Sequence, residues 1–334
     1  MLRVNSLAAG LPARRPFQFC LVAATLVVSL DSLLPEALAE VTIRQIENRL
    51  RVEINGTLFT EYHAKGYRKP VLYPIVGPHG VEMTRNYPMK TGIQGEAEDH
   101  PHHRSLWFAH GSVNGVDFWS EKGQILNDRI VATSNGKQGT IETANRWVDT
   151  NDQIVCTDRQ HLTFAAIPGG RLIDWKMTVT ASHGKVLFGD TKEGMAGIRS
   201  HPNLRLNNAP DRGVTSANGQ AVNSEGISGP EIWGKRAAWV DYWGKVNGHQ
   251  IGFAIFDHPK NLRYPTWWHA RSYGLVAANP FGIHDFENKP EGTGDFVLSP
   301  DESVTFQYRF VFHQGDASEA NISKLYGDYV QERD

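Results

Sequence analysis

Between Asp99 and Trp119 the chain gathers four histidines (His100, His102, His103, His110), the carboxylates of Asp99 and Asp117, the guanidinium of Arg104 and the indoles of Trp107 and Trp119. Imidazole is the side chain whose unperturbed pKa lies nearest neutrality, so such a cluster can exchange protons or bind metal where lysine or aspartate alone could not. A metal site needs ligands converging from several segments with an orienting outer shell. Asp99, His100, His102 and His103 offer the right ligand types, although no HExxH or two-His-one-carboxylate spacing accompanies them. Metal-free acid/base catalysis needs instead a histidine and a carboxylate with separated pKa values, and His103 or His269 with Glu193 or Asp241 would suit. His100 and His258 each stand between Asp and Pro, which points to loop-shaping.

Three further segments mix indoles with charged groups: Lys192–Arg199 with His201, Trp233–Gly244, and Phe256–Gly274 continuing to Asn279–Gly282. Sugars present apolar C–H faces that lie on aromatic rings, and hydroxyl rims that need donors and acceptors. Sites for them therefore combine Trp with Asp, Glu, His, Arg and Asn. Against this, most of the nine Trp must serve as buried surface. Trp267 and Trp268 are adjacent and cannot both face inward from a strand. Arg104, Arg199, Arg263 and Arg271 fall in the same segments and suit carboxylate binding, with Arg263 read as a scaffold partner of a neighbouring Asp.

The elements that must position these groups read as strands. Ile173, Trp175, Met177 and Val179 alternate with polar residues, as do Val304, Phe306, Tyr308, Phe310 and Phe312. Asn55-Gly56, Pro168-Gly169-Gly170, Asn218-Gly219 and Asn247-Gly248 are hairpin signals. Apart from the N-terminal apolar run, one stretch invites a helix: residues 318–330, where Ile322, Leu325, Tyr326 and Tyr329 share a face behind acceptor residues. We therefore expect a single all-β domain over residues 40–334, two large packed antiparallel sheets with a short C-terminal helix.

Arg14-Arg15 before an apolar run from Phe17 to Leu30, and Ala37-Leu38-Ala39 beyond it, read as a signal peptide over residues 1–39, of the Sec or twin-arginine kind. The expected location is periplasmic or extracellular, with no membrane attachment after cleavage. Cleavage removes three arginines and two carboxylates, leaving the chain one unit more negative than its formal −2. No basic stripe marks a nucleic-acid binder. Only Cys156 survives cleavage, so no intramolecular disulfide supports the fold.

Taken together, Asp99–Arg104 through Asp117-Phe118-Trp119, Glu193-Gly194, Asn223–Gly226, Trp239–Tyr242, Asp257-His258-Pro259 through Trp268–Arg271, Tyr273-Gly274-Leu275 and Asn279–Gly282 resemble the bacterial PmoA-like family, over nearly all of the chain beyond residue 39. The genes of that family accompany sugar oxidoreductases and sugar-cleaving proteins, which implies carbohydrate metabolism. A multi-span oxygenase does not follow, because no apolar run of spanning length comes after residue 39. The resemblance implies a supersandwich like that of galactose mutarotases, in which a histidine and a carboxylate on one sheet act on a ring sugar. The sequence departs from the mutarotase pattern, so those roles do not transfer position by position.

The expectation is an exported carbohydrate-active protein: a metal-independent lyase, hydrolase or epimerase working by acid/base chemistry on a sugar or keto-sugar, without cofactor. His103, His269 and Glu193 are its expected catalytic residues, and His102, Arg104, His110, Trp233, Asp241, Trp268 and Arg271 its expected substrate contacts. The rival readings are a non-catalytic glycan-binding module and a metal enzyme using His100–His103. A carbohydrate is the expected partner, and no protein partner is indicated.

Overall fold

A computed structural model describes residues 1–2 and 39–332, so the signal peptide expected over residues 1–39 falls almost wholly outside the described residues. Period-two patterning becomes eighteen strands in chain order. The first nine are β1 Val41–Ile46, β2 Arg49–Ile54, β3 Thr57–His63, β4 Val71–Ile75, β5 Leu106–His110, β6 Gln124–Ser134, β7 Gln138–Val148, β8 Ile154–Ile167 and β9 Gly170–Thr180. There follow β10 Val186–Phe188, β11 Gly194–Arg199, β12 Gln220–Asn223, β13 Trp239–Val246, β14 His249–Asp257, β15 Trp267–Ala270, β16 Leu275–Asn279, β17 Phe296–Leu298 and β18 Ser303–Gln314. Two helices, α1 Ile283–Glu287 and α2 Ile322–Gln331, complete the order.

The strands form two eight-stranded sheets, β1-β2-β3-β4-β5-β11-β16-β15 and β12-β13-β14-β18-β9-β8-β7-β6, with β10 and β17 paired apart. The named pairings that build them are antiparallel, and the expected all-β two-sheet architecture is what the chain adopts. Among the described residues no helix is long and apolar enough to cross a membrane.

The packing between sheets fixes which way each strand faces. Phe108 of β5 meets Trp147 edge-on at 5.9 Å and lies 6.2 Å from Phe306, both on the second sheet. Leu106, Phe108 and His110 therefore face inward, and Trp107 and Ala109 face away. Register carries that phase across the first sheet: Trp107 opposes Gly197, Gly197 opposes Ala277, and Ala277 opposes His269. One row on the outer face thus reads Trp107, Gly197, Ala277, His269.

Three expectations are corrected in detail. In β18 the alternation gives way after Gln307 to burial on both sides, because Val311 packs with Ile322 and Tyr329 of α2 on the sheet's far face. The helix expected over residues 318–330 begins instead at Ile322. Asp316 Oδ1 accepts from the Ser318 and Glu319 amides, capping a turn, and Asn321, left-handed at φ 53°, interrupts before the helix starts. Asn218-Gly219 closes no hairpin: the Gly219 amide bonds to the Arg205 carbonyl so closely that a side chain there would strike the Leu204 carbonyl. Asn55-Gly56 and Asn247-Gly248 do close hairpins, each with both residues at positive φ.

Candidate active site

Small residues make the floor. Between Trp107 and His269 the outer row holds only Gly197 and Ala277, and Trp119 fills the space they leave. A methyl group at Gly197 would come within 2.9 Å of the Trp119 ring and 3.0 Å of the Trp107 ring. Trp119 meets Trp107 at 5.0 Å and lies nearly parallel to the His269 ring at 6.4 Å. Gly197→Val is accordingly expected to destabilise the protein by about 1–3 kcal/mol through overpacking. Thermal denaturation followed by tryptophan fluorescence reads it, and an unchanged melting temperature would show that the indoles are not seated on this glycine.

Glu193 stands at the edge of that floor, directly before β11. The Gly111 amide donates to the Glu193 carbonyl at 2.6 Å, and a methyl group at Gly111 would stand 2.7 Å from Glu193 Cβ, so β5 and this segment approach as only glycine allows. The Glu193 carboxylate is 31 % exposed, and its Oε2 lies 4.0 Å from Nδ1 of His269. Burial raises its pKa above the usual carboxylate value, and the neighbouring charges of Asp117 and Asp285 add to this against the opposing Lys192 ammonium. Lys192 Nζ is 3.6 Å from Glu193 and 3.8 Å from Asp285 of α1.

His269 is the complement. Burial, with the charges of Arg271 and Lys192, lowers its pKa to about 3, so the ring is neutral near pH 7. It hydrogen-bonds the Lys192 backbone, while Nδ1 is buried without a partner. Nδ1 is the ring nitrogen nearest the Glu193 carboxylate, at 4.0 Å from Oε2.

Half-exposed aromatic and charged groups surround the pair. Trp233 follows a single 3-10 turn, Gly229–Ile232, on a strap tied to the sheet edge where the Gly234 amide donates to the Trp268 carbonyl at 2.9 Å. Its ring meets His269 edge-on at 5.0 Å and Phe286 at 5.1 Å. The β15–β16 turn, closed by Gly274 at φ 87°, presents Arg271 and Tyr273, with the Arg271 guanidinium over Trp233 at 4.8 Å and Tyr273 at 5.7 Å.

Four rings lie within 14° of parallel beside that turn: His100 is 5.2 Å from Tyr273 and 4.8 Å from His103, Tyr273 and His103 are 6.4 Å apart, and Trp107 lies 5.4 Å from His103. Among the described residues no three His, Cys, Asp or Glu side chains converge as metal ligands would. His102 packs edge-on against His103 at 4.4 Å; burial and the Lys69 charge lower its pKa to about 4.

Of the residues expected from sequence, Glu193, His269, Trp233 and Arg271 come together, whereas His102 packs against His100 and His103. His103 does not carry protons at a surface: it is 1 % exposed, and burial with the Arg199 charge holds its pKa well below the usual imidazole value. Arg199 Nη1 lies 3.4 Å from its Nδ1. Arg104 is engaged by Glu121 at 2.7 and 3.0 Å, and Lys69 bonds the same carboxylate and the His102 and Trp119 carbonyls, so these groups lash two loops together. His110 faces inward, with Nε2 2.8 Å from the Gly189 carbonyl and its ring against Phe281. Trp268 also faces inward, donating to the Ala237 carbonyl. Asp241 lies on the outer face of the second sheet, 2.8 Å from His313 Nε2, with both sheets between it and Glu193. Arg263 has no Asp side chain as its hydrogen-bond partner, donating instead to the Pro280, Gly294 and Asp295 carbonyls. Tyr273, Asp117, Lys192, Trp107 and Trp119 were not among the expected catalytic or substrate-contact residues, although each lies in a segment that supplied them.

A model of a family of unknown function, DUF6807, matches residues 49–327. No curated protein sequence matches the chain. Among solved structures, the galactosidase domain of an alpha-galactosidase-sucrose kinase is similar at 8 % identity and TM-score 0.43, over 83 % of this chain and 42 % of that one. The chain thus spans about two-fifths of that protein's length. A galactose mutarotase related enzyme from Lactobacillus acidophilus is similar at 10 % identity and TM-score 0.32, covering 82 % and 97 % of the two chains. A putative aldose 1-epimerase from Escherichia coli K12 is similar at 10 % identity and TM-score 0.35, covering 82 % and 99 %.

Proposed function

Because the chain belongs to the family of unknown function DUF6807, whose description names no reaction, we propose its function from the site itself: a carbohydrate-active enzyme that transfers a proton at a ring sugar, with Glu193 as general acid. The observation that carries this is a part-buried carboxylate 4.0 Å from a neutral imidazole, with the Trp233 ring edge-on to that imidazole. Aromatic faces suit the C–H face of a pyranose, and a carboxyl group whose pKa is raised suits a leaving or ring oxygen that must take up a proton. Protonation of oxygen is common to glycoside hydrolysis, to elimination from a keto-sugar and to ring opening in epimerisation. Glu193 touches substrate in this reading, and His269, 2 % exposed behind it and 4.0 Å from its carboxylate, is a positioning residue.

A panel of glycosides and 3-keto-glycosides, followed for product across pH 4–9, tests the reading. An acid must be protonated to act, so the rate is expected to be retained at low pH and to fall as pH rises through the raised pKa of Glu193. Oligosaccharide binding without any product would make the protein a glycan-binding module instead. A rate that rises with pH over that range would assign Glu193 the role of base and overturn the acid assignment.

A further inference from the structure

The charges beside Tyr273 do not balance. Asp99 Oδ1 accepts from Arg85 at 2.6 Å and Arg199 at 2.9 Å, and Oδ2 accepts from Arg212 at 2.8 Å. Arg205, 4 % exposed, leaves its Nε buried without a partner, and Asp99 and Asp211 are the carboxylates acting on it. Glu96, the further carboxylate acting on Arg85, is occupied by the amides of Asn86 and Tyr87. Arg271 adds a fifth guanidinium to these three carboxylates. Among the described residues its side chain has neither ion pair nor hydrogen bond, only the rings of Trp233 and Tyr273. Glu193, the carboxylate across the cleft, is engaged by Lys192.

A guanidinium flanked by two rings has lost part of its hydration while keeping five donors and no acceptor for them. Oxyanions that present two oxygens to its parallel N–H groups complement that fork, and neutral hydroxyl rims do not require a cation. We infer that Arg271, backed by the surplus arginines around Asp99, receives an anionic substituent of the sugar, the carboxylate of a uronic acid or a sulfate ester. The inference rests on the sugar reading above and narrows its substrate class. It also places the two ends of the ligand: the anion lies at the β15–β16 turn, and the protonated oxygen at Glu193.

Isothermal titration of the protein with methyl glucuronide, methyl galacturonide, the corresponding neutral methyl glycosides and their 6-sulfates tests it. At least one anionic probe is expected to bind ten-fold or more tightly than its neutral counterpart, with a preference that weakens as salt is raised. Arg271→Gln is expected to abolish the preference and Arg271→Lys to restore part of it, in protein whose melting temperature is unchanged. The uronide and sulfate arms identify which anion the site takes. Equal binding of charged and neutral probes, or a preference that survives in R271Q, overturns the inference while leaving the sugar reading in place. Failure of every glycoside to bind overturns both.

Discussion

Glu193→Gln is expected to lower turnover of the accepted sugar by about 10²- to 10⁴-fold, the contribution a positioned acid makes to proton transfer. The melting temperature should stay within about 2 °C of the parent, since Glu193 is part-exposed and surface substitutions of this kind usually stay within about 0.5 kcal/mol. Gln keeps the shape of the side chain and the backbone bond to Gly111, and removes the titratable proton together with the charge that faces Lys192. The pair behaves as a unit in this account, because His269 acts through the carboxyl group. A double variant, Glu193→Gln with His269→Asn, is therefore expected to be no slower than E193Q alone. Steady-state kinetics on the responsive substrate decide the matter: an E193Q enzyme with parental kcat removes Glu193 from the chemistry, and a fully additive double variant removes His269 from its service.

The sheets were legible because burial on one face writes a period of two into the sequence, and Ile173–Val179 carries it cleanly. What escaped was whatever a second layer changed. Val311 reads as the exposed phase of β18, and only the packing of α2 explains its burial. The α1 helix spans only Ile283–Glu287, too short for a 3.6-residue period to declare itself, yet it brings Asp285 to Lys192. Short polar helices of this kind are fixed by tertiary contacts rather than by propensity.

At the site, the sequence identified the segments better than the residues within them. Alternation held more than was drawn from it: Trp268 and His269 are consecutive in β15 and face opposite sides, so the two could never line one cleft. Sequence gives no phase for His103, which lies in a loop and acquires its role from stacking on His100 and Trp107. Asp241 was a sound candidate by chemistry and failed by topology, since β13 sits in the other sheet and a buried histidine was waiting for it there. Tyr273 shows the converse, a residue unremarkable in sequence on which Arg199, Arg271, the histidine column and the Glu193 cleft all converge.

Asp99→Asn is expected to destabilise the fold by about 3–5 kcal/mol, the cost of removing one partner from a buried ion pair, and to lower the melting temperature by roughly 10 °C. Arg85 and Arg199 are 2 % and 1 % exposed, and Asp99 is the carboxylate both of them meet. Asn preserves size and an acceptor oxygen, so the difference isolates charge. Burial alone would raise the pKa of Asp99, but the His100 hydrogen bond and the Arg199 and Arg85 guanidiniums hold it well below the usual carboxylate range. A carboxyl group depressed in the folded state contributes its full stability above its unfolded pKa, about 3.9, and loses it as pH falls toward the folded value. The gap between parent and variant should therefore be widest near neutrality and narrow below about pH 4, where thermal melts over pH 3–7 would trace it. A variant within 2 °C of the parent at pH 7, or a gap that stays constant into acid, would mean the arginines are balanced elsewhere. The consequence reaches the cleft, because Asp99 Oδ1 also meets His100 Nδ1 at 3.1 Å, and His100 is the ring on which Tyr273 and His103 both stack. Loosening that clamp frees the wall that carries Tyr273, so in D99N the binding of a sugar should weaken even at temperatures where the fold survives.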